Sequence, residues 1–216
     1  MIVIIDYGMG NLRSAQKGIE KGGHEAIISS NPADIARADG IVLPGVGAFK
    51  DCFDGLSDGG FISPLEDAVE SGTPLLGICV GMQMLFESSE EGEGSPGLGL
   101  LPGRVVRFPE ASETGLKVPH MGWNRLDRDA DRPCAILAEL SGDPYVYFVH
   151  SYYPDVSDDS VVYATSEYGV VFPAVVGKNH IFGTQFHPEK SQTEGIHILQ
   201  SFGDYVQTRK SEAARV

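Results

Sequence analysis

Cys79 is the residue of this sequence whose surroundings most strongly suggest chemistry. It follows the apolar run 75–78 and precedes a stretch in which apolar side chains recur at helical spacing. Gly77 and Gly81 stand two residues to either side, where a sharp strand-to-helix turn needs residues without a Cβ. Such a turn places the thiol at a helix N-terminus, where unpaired N–H groups favour the thiolate. The pattern predicts a nucleophilic cysteine; a buried structural cysteine is the alternative.

A thiolate nucleophile needs a base, and His187 is the best-placed histidine for that role. It follows an apolar run and is separated from Glu189 by a proline. In an extended backbone, residues i and i+2 point to the same side, so Glu189 could accept a hydrogen bond from the His187 ring. His120 and His150 are alternative bases, but neither has a carboxylate two residues away. A metal site built from these three histidines lacks ligand spacing, so no metal and no cofactor are expected.

The elements that must position these residues alternate between strand and helix through the first 90 residues. Strands are predicted at 2–5, 24–28, 39–44 and 75–79, with helices ending near Gly22 and covering 62–71. This alternation predicts an α/β fold with a mostly parallel central sheet flanked by helices, whose carboxyl-end loops gather in one crevice.

The second half of the chain differs in composition: it is rich in glycine and proline and contains several short β-like runs. The runs at 104–108, 145–149, 161–165, 170–172 and 180–186 predict an additional antiparallel β region attached to the first sheet. A final helix is predicted from about Thr193 to Val206. We therefore expect one domain over residues 1–206, followed by a frayed polar tail over 207–216.

The charge and cysteine content restrict the classes of function. With 30 acidic and 16 basic residues the net charge is −14, which argues against nucleic acid as a partner. Acidic loops at 87–93 and 127–131 predict a solvated surface or an adaptation to a high-salt cytoplasm. The N-terminus reads as a strand and not as a leader, and no run is long enough to span a membrane. Three widely spaced cysteines fit a reducing compartment, so a cytoplasmic protein is expected.

Several motifs together resemble those of the class I (triad) glutamine amidotransferases, from residue 1 to about 206. They are the cysteine motif at 77–83, the His187-Pro188-Glu189 segment and the Pro-Gly-Val-Gly loop at 44–47. Within that family, the segments 6–12, 119–124, 148–153 and 185–191 are similar to those of glutaminase subunits that serve a cyclase in histidine biosynthesis.

The resemblance implies a role for each site residue. Cys79 would attack the side-chain amide of glutamine, and His187, oriented by Glu189, would protonate the leaving ammonia and then activate water. The oxyanion hole would be formed by the backbone N–H groups of Gly47 and Val80. The residues implied in substrate binding are Gly45, Gly81, Gln83, Glu87, Ser151 and Tyr152.

The resemblance also implies a partner, a (β/α)8-barrel cyclase subunit that converts PRFAR to imidazole glycerol phosphate and AICAR. The implied interface residues are Asn11, Met121, Trp123, Asn124 and Lys190. Independently, the only tryptophan lies between glycine and polar residues in an exposed-looking loop at 119–124, which favours a role as a partner anchor. Another amidotransferase subunit, a stand-alone cysteine hydrolase of this fold and a non-catalytic binding module are the alternatives.

Overall fold

The computed structural model describes residues 1–92, 94–110, 112, 115–129 and 131–214. Its strands are Ile2–Ile5 (β1), Ala26–Ser29 (β2), Gly40–Gly45 (β3), Leu75–Cys79 (β4), Ser88–Ser89 (β5), Ser95–Pro96 (β6), Gly103–Arg107 (β7), His120–Arg125 (β8), Asp127–Arg128 (β9), Tyr145–His150 (β10), Tyr152–Val156 (β11), Val162–Glu167 (β12), Val171–Lys178 (β13) and Ile181–Thr184 (β14). Its α-helices are Leu12–Lys21 (α1), Phe49–Asp58 (α2), Ile62–Glu70 (α3), Val80–Gln83 (α4) and Gln192–Ala213 (α5). Short 3₁₀ helices cover Pro32–Arg37, Ala135–Leu137, Asp159–Val161 and Pro188–Lys190.

The described strands form one large sheet and two small ones. The large sheet has the order β2-β1-β3-β4-β14-β13-β12-β9. Its strands from β2 to β14 run parallel, and β13, β12 and β9 continue it antiparallel. Strands β10 and β8 form an antiparallel pair, and β11, β7, β5 and β6 form the third sheet. The predicted α/β class, with a mainly parallel sheet and an added antiparallel region, is confirmed.

The central strands are buried because helices and loops cover both faces of the sheet. Every residue of β1, β3 and β4 is buried, as expected for parallel strands with near-continuous apolar sequences. Helix α1 packs against α5 so closely that a Cβ on Gly18 would lie 2.4 Å from Leu199 Cδ1. The core therefore holds the carboxyl ends of β3 and β4 in fixed positions.

The join between β4 and α4 is the sharp turn that the cysteine motif predicts. Cys79 has φ 55° and ψ −112°, a conformation that is costly for a residue with a side chain. A Cβ on Gly81 would lie 1.9 Å from the Leu43 carbonyl oxygen, and one on Gly77 would lie 2.7 Å from the Gly81 carbonyl oxygen. Both glycines are required because the backbones of β3, β4 and α4 touch there. Helix α4 ends at Gln83, earlier than the apolar spacing suggests.

Two local predictions are wrong, and one helix has no predicted counterpart. The loop expected at 119–124 is largely strand β8, which begins at His120, and His120 is buried at 3% exposure. Helix α2 has no counterpart among the predicted elements, although Phe49, Cys52 and Leu56 give it a buried face. The tail expected to fray after Gln207 is helical to Ala213. Among the described residues, no helix is both long and apolar enough to cross a bilayer.

Gly81→Ala should lower the free energy of unfolding by about 3 kcal/mol, because the added methyl group meets a main-chain oxygen that cannot move aside. Urea unfolding measures the effect. Gly142→Ala is the matched control: Gly142 has φ +58° with open space around it, so only the left-handed conformation is penalised, by about 1 kcal/mol. Equal losses in the two variants would contradict the proposed backbone contact.

Candidate active site

A cavity of about 330 Å³ opens where strands β3 and β4 end. This is the edge at which ligands bind in open parallel sheets. Its wall contains eight residues that the resemblance assigns to the site or the partner interface, together with Val46, Glu91, Pro119, Val149 and the alternative base His150. Those eight are Gly47, Cys79, Val80, Gln83, Ser151, Tyr152, His187 and Lys190.

His187 and Glu189 form a buried pair beside the cysteine. His187 Nδ1 lies 2.8 Å from Glu189 Oε1, and the two side chains are 2% and 1% exposed. The predicted hydrogen bond is thus present, but the extended geometry expected for it is wrong, because a 3₁₀ turn over Pro188–Lys190 brings the carboxylate back to the ring. The backbone N–H of His187 donates to the Tyr147 carbonyl at 3.0 Å, which attaches His187 to strand β10.

The ionisation of His187 is set by its two neighbours. Burial by itself lowers the pKa of His187, but hydrogen bonds and charge interactions with Cys79 and Glu189 outweigh burial and raise the pKa to about 10. The ring is therefore an imidazolium at neutral pH. An imidazolium held against a thiol and a carboxylate stabilises the thiolate and has a proton to give to a leaving group.

Glu189 is itself held in place from the N-terminal segment. Asn11 Nδ2 donates to Glu189 Oε1 at 3.5 Å. The second carboxylate oxygen, Oε2, is buried without a hydrogen-bond partner among the described residues. The carboxylate therefore interacts mainly through the oxygen that faces the histidine.

The end of β3 and the loop after it lead to Gly47, one of the two residues implied in the oxyanion hole. Two side chains hold this segment in place. Tyr7 donates its hydroxyl to the Pro44 carbonyl at 2.5 Å, and the Cys52 thiol donates to the Val46 carbonyl at 3.3 Å. Burial raises the pKa of Cys52, so it remains a thiol and can donate. Gly47 follows with φ +92°, a conformation that glycine adopts without strain.

Comparison with known proteins identifies the family. The model of "Glutamine amidotransferase class-I" matches residues 3–204. The chain belongs to the class I glutamine amidotransferases. An "Imidazole glycerol phosphate synthase subunit HisH" of Syntrophotalea carbinolica is 57% identical, covering 94% of this chain and 100% of that one. Its counterpart in Geobacter sulfurreducens is 52% identical, covering 94% and 98%. A solved glutamine amidotransferase structure matches the fold with TM-score 0.74 at 20% identity, over 96% and 100% of the two chains.

Three residues implied in substrate binding lie outside the cavity of this amidotransferase. Gly45 and Gly81 pack backbone against backbone, since a Cβ on Gly45 would lie 2.5 Å from Gly81 N. Glu87 is exposed, and its carboxylate accepts from the Gly103 N–H at 3.2 Å. Glu91 lines the cavity instead, and its carboxylate accepts from the Phe49 N–H at 2.8 Å. Both glutamates belong to the same acidic stretch, and nothing in its local pattern distinguishes them.

Three of the implied interface residues are exposed, and one of them, Lys190, also lines the cavity. Met121 and Trp123 point outward from strand β8, with 62% and 46% exposure, and Lys190 is exposed on the turn after His187. The Trp123 ring lies edge-on to the Tyr147 ring, with centroids 6.0 Å apart, and Tyr147 is the residue whose carbonyl holds His187. The exposed tryptophan is thus two contacts away from the amidotransferase histidine.

A larger groove, of about 650 Å³, lies between strands β11, β12 and β13. Its lining includes four aspartates and two arginines but no cysteine or histidine. Arg128 donates to the carbonyls of Leu140 and Gly142 at 2.6 and 3.0 Å, and Arg132 donates to that of Asp159 at 2.7 Å. Because its cations are already paired and it has no nucleophile, the smaller cavity is the better candidate for an active site.

Glu189→Gln should lower the pKa of His187, since it removes one of the two groups that oppose the effect of burial. An NMR titration of the ring would show the midpoint below that of the unmodified protein. Glu212→Gln, which removes a charge from the exposed end of α5, is the matched control and should leave the midpoint unchanged. An unchanged midpoint in Glu189→Gln would contradict the role of this carboxylate.

Proposed function

We propose that the chain is the glutaminase subunit of imidazole glycerol phosphate synthase, hydrolysing glutamine and passing the ammonia to a cyclase subunit. The observation that carries the proposal is identity of 57% and 52%, over nearly the full lengths of both chains, to proteins named as the HisH subunit of that synthase. The buried Cys79, His187 and Glu189 constellation supports it, because a non-catalytic module has no need of an imidazolium beside a thiol.

The site geometry supports a two-step acyl transfer. The Cys79 sulfur attacks the amide carbon of glutamine, and the oxygen that becomes negative is stabilised by the N–H groups of Val80 and Gly47. His187 transfers its proton to the amide nitrogen as the carbon–nitrogen bond breaks, which releases ammonia and leaves a thioester. The neutral His187 ring then takes a proton from water as it attacks the thioester carbon, which frees glutamate and the thiol.

The face that carries Met121 and Trp123 is the proposed docking surface for the cyclase subunit. Met121 and Trp123 are exposed apolar side chains, and their strand β8 pairs with β10, the strand that contacts His187. Because Val149, which is paired with Met121, lines the cavity, a partner docked there would lie next to the site in which ammonia forms. Ammonia passed directly to the partner stays unprotonated and nucleophilic. The three cysteines are free thiols, which supports a reducing compartment such as the cytoplasm.

Cys79→Ala should abolish synthesis of imidazole glycerol phosphate from glutamine in the assembled complex, while synthesis from added ammonium salt survives. The reason is that only the glutamine half-reaction needs the sulfur. Cys134→Ala is the control and should retain both activities, because Cys134 is a buried cysteine directly before the 3₁₀ helix Ala135–Leu137 and outside the cavity lining. Glutamine turnover in Cys79→Ala would overturn the assignment of the nucleophile.

Trp123→Ala should weaken binding of the cyclase by about 2 kcal/mol, roughly 30-fold in Kd, because a large ring leaves the proposed interface. Isothermal titration calorimetry with the purified cyclase measures the effect. Val171→Ala is the control, since Val171 is 65% exposed on strand β13 and lines the larger groove. Equal affinity in the two variants would count against Trp123 as the anchor.

A further inference from the structure

Two histidines that the glutaminase mechanism does not use are hydrogen-bonded to each other inside the protein. His120 Nδ1 lies 3.1 Å from His150 Nε2, and the two residues are paired in the register of β8 and β10. At one end, His150 Nδ1 lies 2.9 Å from the Tyr152 carbonyl oxygen. At the other end, Asn124 Nδ2 lies 3.4 Å from His120 Nε2. The pair thus connects strand β8 with the wall of the cavity.

Two glutamines continue these contacts to the nucleophile. Gln83 Nε2 donates to the same Tyr152 carbonyl at 2.9 Å and to Gln185 Oε1 at 3.1 Å. Gln185 Nε2 in turn lies 3.9 Å from Cys79 Sγ, within hydrogen-bond range for sulfur. Gln185 is fully buried, and Gln83 is 2% exposed. We call Asn124, His120, His150, Gln83 and Gln185 the buried network.

The partners fix the position of each proton in the buried network. A carbonyl only accepts, so His150 carries its proton on Nδ1, and its Nε2 accepts from His120 Nδ1. The His120 Nε2 atom then accepts from Asn124, whose amide orientation is fixed because its nitrogen also donates to the Glu167 carbonyl at 2.8 Å. Gln83 is oriented in the same way by Tyr152. Every hydrogen bond is satisfied only when both rings are neutral.

The surroundings of the two histidines favour the neutral form. Burial lowers the pKa of His150 to about 3 and that of His120 to about 4. The His120 ring stacks on Tyr168 and Phe148, with centroids 4.1 and 4.9 Å away, and Phe108 lies 5.1 Å from His150. The positive charge of His187 also disfavours a positive charge on His150.

We propose that Gln185 is a further catalytic residue, whose amide N–H stabilises the Cys79 thiolate, and that His120 and His150 are positioning residues that hold it there through Tyr152 and Gln83. The proposal rests on the proposed glutaminase function only for the identity of the substrate. The Gln83 amide nitrogen, already donating twice, has no N–H left for glutamine, so only its oxygen is available to the substrate.

The direct test is the rate at which iodoacetamide alkylates Cys79 as a function of pH, followed on the Cys79 peptide by mass spectrometry. Gln185→Leu should slow alkylation at pH 7 by about tenfold and move the pH midpoint upward, because the thiolate loses a donor. Gln207→Leu, on the exposed part of α5, is the control and should leave the profile unchanged. A wild-type profile in Gln185→Leu would overturn the proposal.

The positioning role is tested by a pair of substitutions at His150. His150→Asn can still donate to the Tyr152 carbonyl from an amide nitrogen near the position of Nδ1, whereas His150→Phe keeps the ring shape and cannot. We expect alkylation of Cys79 close to the wild-type rate in His150→Asn and about a threefold or greater loss in His150→Phe. Equal rates in two folded variants would contradict the positioning role.

A measurement on the unmodified protein covers the case in which these variants fail to fold. Nitrogen-15 NMR at pH 7 should show both His120 and His150 protonated on Nδ1 and unprotonated on Nε2. A proton on Nε2, or an imidazolium, in either ring would overturn the network. Neither NMR nor alkylation involves glutamine or a cyclase, so a failed glutaminase assay would contradict the proposed function and leave these results standing.

Discussion

The structure depends on a contact between main chains at the start of helix α4. Gly81 lies directly over the Leu43 carbonyl of β3, at a distance that a single methyl group would fill. This contact forces the chain to turn at Cys79, and the turn gives Cys79 its positive φ. The two strands are buried on both faces, so the stability of the core holds the strained residue in place. The position of the sulfur therefore follows from the packing of the parallel sheet, with no need for loop flexibility.

The second constraint is the burial of charge around that sulfur. His187 and Glu189 are almost completely removed from water, which would normally make the histidine neutral. The carboxylate and the cysteine reverse this effect, and the cationic ring becomes the most stable form. The turn at Pro188–Lys190 and the bond from Asn11 keep the carboxylate in reach. His150, at the end of β10, behaves in the opposite way: among the described residues its hydrogen-bond partners are His120 and the Tyr152 carbonyl, and burial lowers its pKa to about 3.

The parts of the site that could be predicted from the sequence are those determined by neighbours along the chain. Glycine spacing around Cys79 and the interval between His187 and Glu189 are local signals. The pairing of His120 with His150 comes from the register of two strands separated by a long connection, and spacing within either segment cannot reveal it. Strand β8 was mistaken for a loop because Pro119 and Gly122 are typical of turns, although alternate residues face inward and outward. The helical tail had no apolar periodicity to indicate it; Lys210 pairs with Asp39 at 2.8 Å and helps to hold it.

The direction of the hydrogen bonds in the buried network has a consequence for proton conduction. Each histidine donates from Nδ1 and accepts at Nε2. The last of these hydrogen bonds is donated to the Tyr152 carbonyl, which belongs to a peptide bond. A peptide carbonyl accepts a hydrogen bond but does not pass a proton onward at neutral pH. The network therefore does not conduct protons between the protein surface at Asn124 and Cys79. In the proposed mechanism, proton transfer to and from the reacting atoms is then left to His187 and the attacking water, so both proton transfers of the cycle depend on one ring.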